Sequence, residues 1–181
     1  PLNSYLTHWG LFLFVIASWM SWETYHWMKT TPQSALKRLE PYRTWIVTAL
    51  IVFLAVLVML VALGVSVALV VVPMGIWAVL LMFRPDRTDG MRFLLFLVGT
   101  ALMLTLVVEL VYLPGDIGRM NTVFKFYLQS WIMFALSAGV CLGWVIKSIR
   151  SWHPRLAFIG QLILFCLVTS ALLFTTLGTT D

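Results

Sequence analysis

The longest uncharged run in the chain sets the strongest limit on its fold. Between Arg43 and Arg84, about forty residues carry no Asp, Glu, Lys or Arg, and a helix needs only about 20 apolar residues to cross a hydrocarbon core about 30 Å thick. One helix of that length would rise about 60 Å. The run therefore predicts two crossings that fold back on each other, with a turn near Gly64 to Ser66. Pro73 then lies inside the second crossing and is expected to kink it.

The overall composition extends this interpretation to the whole chain. Of the 181 residues, 61% are hydrophobic and 10% are charged, and the mean hydropathy is +0.97. Soluble domains are roughly 45–50% apolar and about 25% charged. The sequence therefore predicts an all-α integral membrane protein, a polytopic transmembrane bundle of about six helices. Its formal charge of +5 does not indicate a nucleic-acid partner, because the basic residues lie in short clusters between apolar runs.

The apolar runs and the polar breaks between them place the six helices. The predicted ranges are 6–28, 43–63, 66–83, 91–113, 122–146 and 155–177. We interpret residues 1–181 as a single transmembrane bundle. The chain opens on Pro-Leu-Asn and stops just after an apolar run, which indicates a fragment of a longer protein.

The positions of the basic residues predict the orientation in the cell membrane. Ten of the twelve Lys and Arg residues lie in or beside loops 29–42, 84–90 and 147–154. The positive-inside rule places these three loops in the cytoplasm. Loop 114–121 and both termini of this multi-pass chain then face outward, and the lipid bilayer is its first expected partner.

Two basic residues, Arg119 and Lys125, depart from this rule on the predicted outer side. Ionisable groups near membrane depth are costly unless they are paired or face water, so they indicate a functional site. Asn121 or Thr122 is expected to cap the fifth helix, whose positive end favours an anion. Arg119 and Lys125 add positive charge at the same place, and Gln129 lies one turn further along. The segment therefore predicts a phosphate site at the outer surface.

Other interpretations of the polar residues stay open. Glu109 and Asp116 can pair with Lys125 and Arg119 and simply tie down a loop. His8, beside Trp9 at the outer start of the first helix, can serve as a proton carrier or ligand, or as an amphipathic anchor. We expect solvated interface positions for Glu23, His26 and His153, and mostly interfacial or lipid-facing positions for the nine tryptophans.

Two segments of the chain resemble a known family. Glu109-Leu-Val-Tyr-Leu, a short Gly/Asp loop and Arg119-Met-Asn-Thr-Val-Phe-Lys-Phe-Tyr127 resemble the conserved segment of the YYY-domain membrane proteins, which are large, very hydrophobic prokaryotic proteins. The opening Tyr5-Leu-Thr-His-Trp-Gly-Leu-Phe-Leu-Phe14 is similar to another stretch of that family in the same order. The resemblance covers the whole chain and implies a middle-to-late part of a protein several times longer. The tyrosine-rich motif behind the family's name is absent from this sequence.

The resemblance implies an enzyme. The family has been suggested to contain glycosyltransferases of the GT-C type, which take sugar from a polyprenyl-phosphate carrier at the outer membrane face. Arg119 and Lys125 would hold the donor phosphate, because preorganised positive charge stabilises a phosphate leaving group. Asn121 would order the helix start. Three further residues would position the basic pair or contact sugar hydroxyls: Glu109, Asp116 and Gln129.

The resemblance places other parts of the machinery outside the chain. In GT-C enzymes the catalytic acidic residue usually lies in the first outer loop, so no catalytic base is assigned here. No cofactor is assigned either, and any divalent metal would be supplied by regions beyond these residues. The remainder of the parent polypeptide and a polyprenyl-phosphate sugar are therefore expected partners.

Two functions of other classes remain alternatives. A transporter or channel-like protein would use the same charges to line a pathway, and a non-catalytic membrane scaffold would use them only as a clasp. A transporter predicts charged or polar groups deep in several helices. The cores of the predicted second, third and sixth helices carry no charge, which favours a site at the outer surface.

Overall fold

The structure is a computed structural model that describes residues 2–32, 40–85, 87–110 and 119–178, with the backbone alone for 119–122, 150 and 174–178. Within these ranges it is helical and has no strand, so the predicted all-α bundle of six helices is confirmed. Short 3-10 turns at Glu40–Tyr42 and Ile149–Ser151 precede the second and sixth helices. The helices are α1 (Leu2–Thr30), α2 (Arg43–Ala62), α3 (Ala68–Met82), α4 (Asp89–Leu110), α5 (Arg119–Ser148) and α6 (Pro154–Gly178).

The predicted turn between α2 and α3 is confirmed at Gly64, which has a φ of +90°. The amide of Gly64 donates to the carbonyl of Val61 at 2.9 Å, and the amide of Val65 donates to Leu60 at 2.9 Å. This pair of hydrogen bonds is the Schellman arrangement that ends many helices at a glycine. Pro73 does lie inside α3, and the kink expected there stays a prediction.

The helix α1 lies at the centre of the bundle. It packs against α3, α5 and α6, while α3 packs on α4 and α4 on α5 through the most extensive contacts of the fold. Rings join α1 to α5, with centroids 5.3 Å apart for Trp9 and Phe134 and 5.0 Å apart for Trp19 and Trp144. The buried residues of α1 recur mainly at spacings of three and four, as one helix face requires. They are Tyr5, Trp9, Leu13, Val15, Ile16, Trp19 and Met20.

Four segments of the described chain are long and apolar enough to cross a membrane. They are Glu40–Ala62, Asp89–Leu110, Val123–Ser148 and Pro154–Leu173. The helix α3 is apolar but has 15 residues, and α1, with 29 residues, is not in this set. The six predicted crossings are therefore supported for four helices by length and composition. The polar residues of α1 lower its hydropathy, and they are tolerated because protein rather than lipid covers much of that helix.

The helices α2 and α6 lie at the edge of the bundle. No residue of α2 is buried by protein, and Trp45 and Val58 are 75% and 68% exposed. Lipid tails are as apolar as leucine side chains, so such surfaces are stable in a bilayer. This apolar exterior supports the assignment as a multi-pass membrane protein.

The tryptophans differ in burial. Trp9 and Trp19 are buried, whereas the other seven are half-buried or exposed. Trp22, for example, stacks on Trp152 with a centroid distance of 5.8 Å and an interplanar angle of 26°. An interfacial or lipid-facing position for most tryptophans stays a prediction.

Candidate functional site

A small cavity lies where α1, α3 and α5 begin and α4 ends, which we call the N-terminal end of the bundle. Its volume is about 120 Å³, and we call it the polar cavity. Three helices and the turn before α3 supply its walls, so residues far apart in the sequence meet there. The walls are Ser4, Tyr5, His8, Trp9, Val67, Glu109 and Tyr127.

Hydrogen bonds fix two of the polar groups on α1. The hydroxyls of Tyr5 and Thr105 are 3.1 Å apart and buried. Because the Thr105 hydroxyl donates to the Leu102 carbonyl at 2.8 Å, the Tyr5 hydroxyl donates to Thr105. His8 Nδ1 lies 2.8 Å from the Ser4 carbonyl oxygen, which can only accept. The proton of neutral His8 is therefore on Nδ1, and Nε2 is an acceptor.

The indole of Trp9 forms the wall shared by α1 and α5. It is 3% exposed and meets the Tyr127 ring edge-on, with centroids 5.3 Å apart and an angle of 76°. Its ring centroid lies 6.5 Å from that of Tyr5. These contacts hold the start of α1 against the start of α5 and so define the shape of the polar cavity.

A larger space adjoins the polar cavity on the flank between α1 and α5. Its volume is about 500 Å³, and it shares His8, Trp9 and Tyr127 with the polar cavity. We call this space the apolar groove, because the rest of its wall is aliphatic and aromatic. That wall consists of Val123, Phe124, Leu128 and Trp131.

The structure brings two of the predicted site residues together and leaves others apart. Glu109 is half-buried and lines the polar cavity with His8. Lys125 and Gln129 are exposed on α5 and belong to the wall of neither space. The side chain of Lys125 lies about 100° around the helix from that of Phe124. Asp116 and the side chains of Arg119 and Asn121 lie outside the described residues.

The start of α5 differs from the prediction. The helix begins at Arg119 rather than near Thr122, so Asn121 and Thr122 lie within its first turn. A capping residue stands before the first turn, and the predicted capping role of either residue is therefore wrong. The physical reason is that no proline or glycine in Arg119–Thr122 opposes the helical conformation.

An ion pair stabilises the opposite end of the bundle. Glu23 of α1 pairs with Arg87 of the loop between α3 and α4, and their side chains are 13% and 9% exposed. One turn of α1 nearby is also tied to α3, because Trp77 Nε1 donates to Thr24 Oγ1 at 2.9 Å. The expectation that Glu23 is solvated is wrong. Tertiary packing brings a distant arginine to it.

Residues that the sequence analysis missed form much of the site. Tyr5 precedes His8 by three residues and Trp9 by four, which are helical spacings, and Thr105 lies one turn before Glu109. Polar side chains that recur on one face of an apolar helix indicate a wet or functional surface. That periodicity was the available signal for Tyr5 and Thr105. Tyr127 belongs to the segment already singled out, at its inward-facing side.

These features define a polytopic helical membrane protein with a polar cavity at one end of its bundle. Residues 1–134 match the family described as "Uncharacterized membrane protein (DUF2298)", and the chain belongs to that family. The match includes every wall residue of the polar cavity and of the apolar groove. No curated protein and no solved structure matches the chain.

Proposed function

We propose that this chain is the membrane-embedded part of a GT-C-like glycosyltransferase that resembles the YYY-domain proteins. It would take sugar from a polyprenyl-phosphate carrier at the outer membrane face. The observation that carries the proposal is the polar cavity, where Glu109 meets His8 and Tyr5 close to the start of α5. The segment that bears the family resemblance thus contributes directly to a concave site.

The walls of the polar cavity suit a sugar. The Glu109 carboxylate and His8 Nε2 can accept hydrogen bonds from sugar hydroxyls, and the Tyr127 hydroxyl can donate or accept. Trp9 and Val67 supply apolar surface beside these groups. Binding sites for small molecules commonly combine apolar walls with a few placed polar groups.

The start of α5 suits the donor phosphate. Arg119 begins the helix and lies at its positive end, and Lys125 is exposed one and a half turns later. Positive charge there would stabilise the phosphate as it leaves the sugar. Asp116 and Gln129 keep supporting roles in this proposal. The catalytic base and any metal would come from outside this chain.

The distribution of buried polar groups favours this proposal over a transporter. In the described part of the bundle, the fully buried polar side chains are the neutral hydroxyls of Thr105, Ser130 and Ser137. Among the described residues, the half-buried charges are Glu109 at one end and Glu23, Arg84 and Arg87 at the other. A pathway for a charged substrate would need ionisable groups between those ends. A scaffold, in turn, does not require the cavity that Glu109 lines.

Carrier binding tests the proposal. The full-length protein is purified in lipid nanodiscs, and native mass spectrometry measures bound polyprenyl phosphate and its hexose adduct. We expect wild type to retain the carrier and both Arg119→Ala and Lys125→Ala to lose at least tenfold of it. Lys147→Ala is the matched control, because Lys147 is exposed at the other end of the same helix.

A transfer assay separates the sugar site from the phosphate site. Glu109→Gln should retain the carrier but transfer hexose at least tenfold more slowly, since the amide is a poorer acceptor for sugar hydroxyls. If folded wild type binds no carrier under any condition, the donor-phosphate assignment fails. The transporter and the scaffold would then be the better interpretations.

A further inference from the structure

We propose that the apolar groove between α1 and α5 binds the hydrocarbon chain of a membrane lipid. The lipid enters sideways from the bilayer and places an uncharged, hydroxyl-bearing head group in the polar cavity. This inference rests on the proposed function, because both use the polar cavity. It adds the route of entry, the residues that hold the chain and the chemistry of the head group.

The two spaces adjoin each other. His8, Trp9 and Tyr127 line both of them, so one ligand that lies over these side chains can reach both. One space has a carboxylate, an imidazole and phenol hydroxyls in its wall, and the other is almost entirely apolar. A ligand that matches both is amphipathic, with one hydrocarbon part and one polar part.

The apolar groove opens toward lipid. Phe124, Leu128 and Trp131 are 70%, 50% and 53% exposed and follow one another along a single stripe of α5. The stripe spans about 10 Å of the helix axis. At its far end α1 and α5 meet again, because Phe12 touches Trp131 edge-on with ring centroids 6.1 Å apart. A chain lying in the groove would therefore run from the bilayer side to the polar cavity.

The acceptor groups in the wall determine which part of the head group fits the polar cavity. Hydroxyl groups can donate hydrogen bonds to the Glu109 carboxylate and to His8 Nε2, whereas a phosphodiester has no proton to donate. The polar cavity therefore takes sugar-like hydroxyls. The phosphate of a phosphate-bearing lipid links the chain to the sugar, so it would lie outside the polar cavity, where the two spaces join beside Tyr127 of α5.

Filling the groove tests the inference. The full-length protein in nanodiscs is offered two probes, a polyprenyl-phosphate hexose and a phosphate-free diacylglycerol hexoside, and retention is measured by native mass spectrometry. Leu128→Trp should lower the retention of both probes at least tenfold. Leu136→Trp is the control, because Leu136 is 57% exposed on α5 two turns further on and lines neither space. Phe124→Trp is a second filling variant, and a thermal unfolding midpoint for each variant checks its fold.

The outcomes separate this inference from the proposed function. If Leu128→Trp lowers the retention of the hexoside but no hexose transfer occurs, the inference holds and the transferase proposal fails. If wild type transfers hexose and Leu128→Trp binds both probes as well as Leu136→Trp does, the groove assignment is overturned and the transferase stands. Retention of neither probe by wild type also overturns the groove assignment. Arg119→Ala should weaken only the phosphate-bearing probe, and equal weakening of both would contradict the assigned place of the phosphate.

Discussion

At the scale of the residue, the ion pair of Glu23 and Arg87 is expected to have a large effect on the free energy of unfolding. Both side chains are largely buried, so Glu23→Gln would leave the arginine charge without its counter-ion. Removing one partner of a buried ion pair costs about 3–5 kcal/mol. We expect a loss of that size in the apparent free energy of unfolding, measured by denaturation in mixed micelles.

Two further variants show whether loss of the ion pair causes the lower unfolding free energy of Glu23→Gln. Glu40→Gln changes an exposed carboxylate and should leave the stability unchanged. The double variant Glu23→Gln with Arg87→Met removes both charges and should recover much of the loss, because no charge is then left buried alone. A double variant as unstable as Glu23→Gln would show that the loss has another cause.

Gly64 provides a second test at this scale. Its φ of +90° lies in a region that costs an L-residue about 1–2 kcal/mol, so Gly64→Ala should lower the unfolding free energy by about that amount. Gly143→Ala is the control, since Gly143 lies inside α5 with nothing within 4 Å of an added Cβ, and alanine favours a helix. Equal stability of the two variants would contradict the strained turn.

At the scale of the element, the central position of α1 decides which substitutions matter. Ile16 on α1 is 0% exposed, whereas Ile51 on α2 is 61% exposed. Ile16→Ala should therefore cost about 2–5 kcal/mol, as large-to-small changes in a packed core do. Ile51→Ala exchanges one lipid contact for another and should be close to neutral. Chemical denaturation of the two variants side by side measures the difference, and equal losses would refute the central placement.

The elements also show what the sequence could predict and what it could not. Helix number and the turn at Gly64 follow from bilayer thickness and backbone conformation, which are local constraints. The partner of Glu23 and the placement of Trp9 against Tyr127 depend on which helices become neighbours. No periodicity in a single segment encodes that choice. The sequence therefore predicted Glu109 and His8 as separate candidates, but it did not predict that they line one cavity.

At the scale of the whole molecule, the orientation is the prediction that the function depends on. Positive-inside bias places the N-terminal end of the bundle outside. In intact cells, a membrane-impermeant maleimide should therefore label Asn3→Cys, while Ser151→Cys should react only after lysis. Both positions are exposed, and the native cysteines are replaced by serine first. The reverse pattern would place the polar cavity at the cytoplasmic face and rule out an outer-face transferase.

The position of a bound lipid carrier is the decisive test of the proposed site. Electron cryomicroscopy of the full-length protein in nanodiscs loaded with polyprenyl-phosphate hexose would show it. We predict chain density against Phe124, Leu128 and Trp131 and head-group density beside Glu109. The absence of ligand density from both the apolar groove and the polar cavity would contradict this placement. Carrier found instead in a different space, the apolar cavity of about 550 Å³ between α3 and α4 beside Gly75 and Gly99, would also contradict the proposed site.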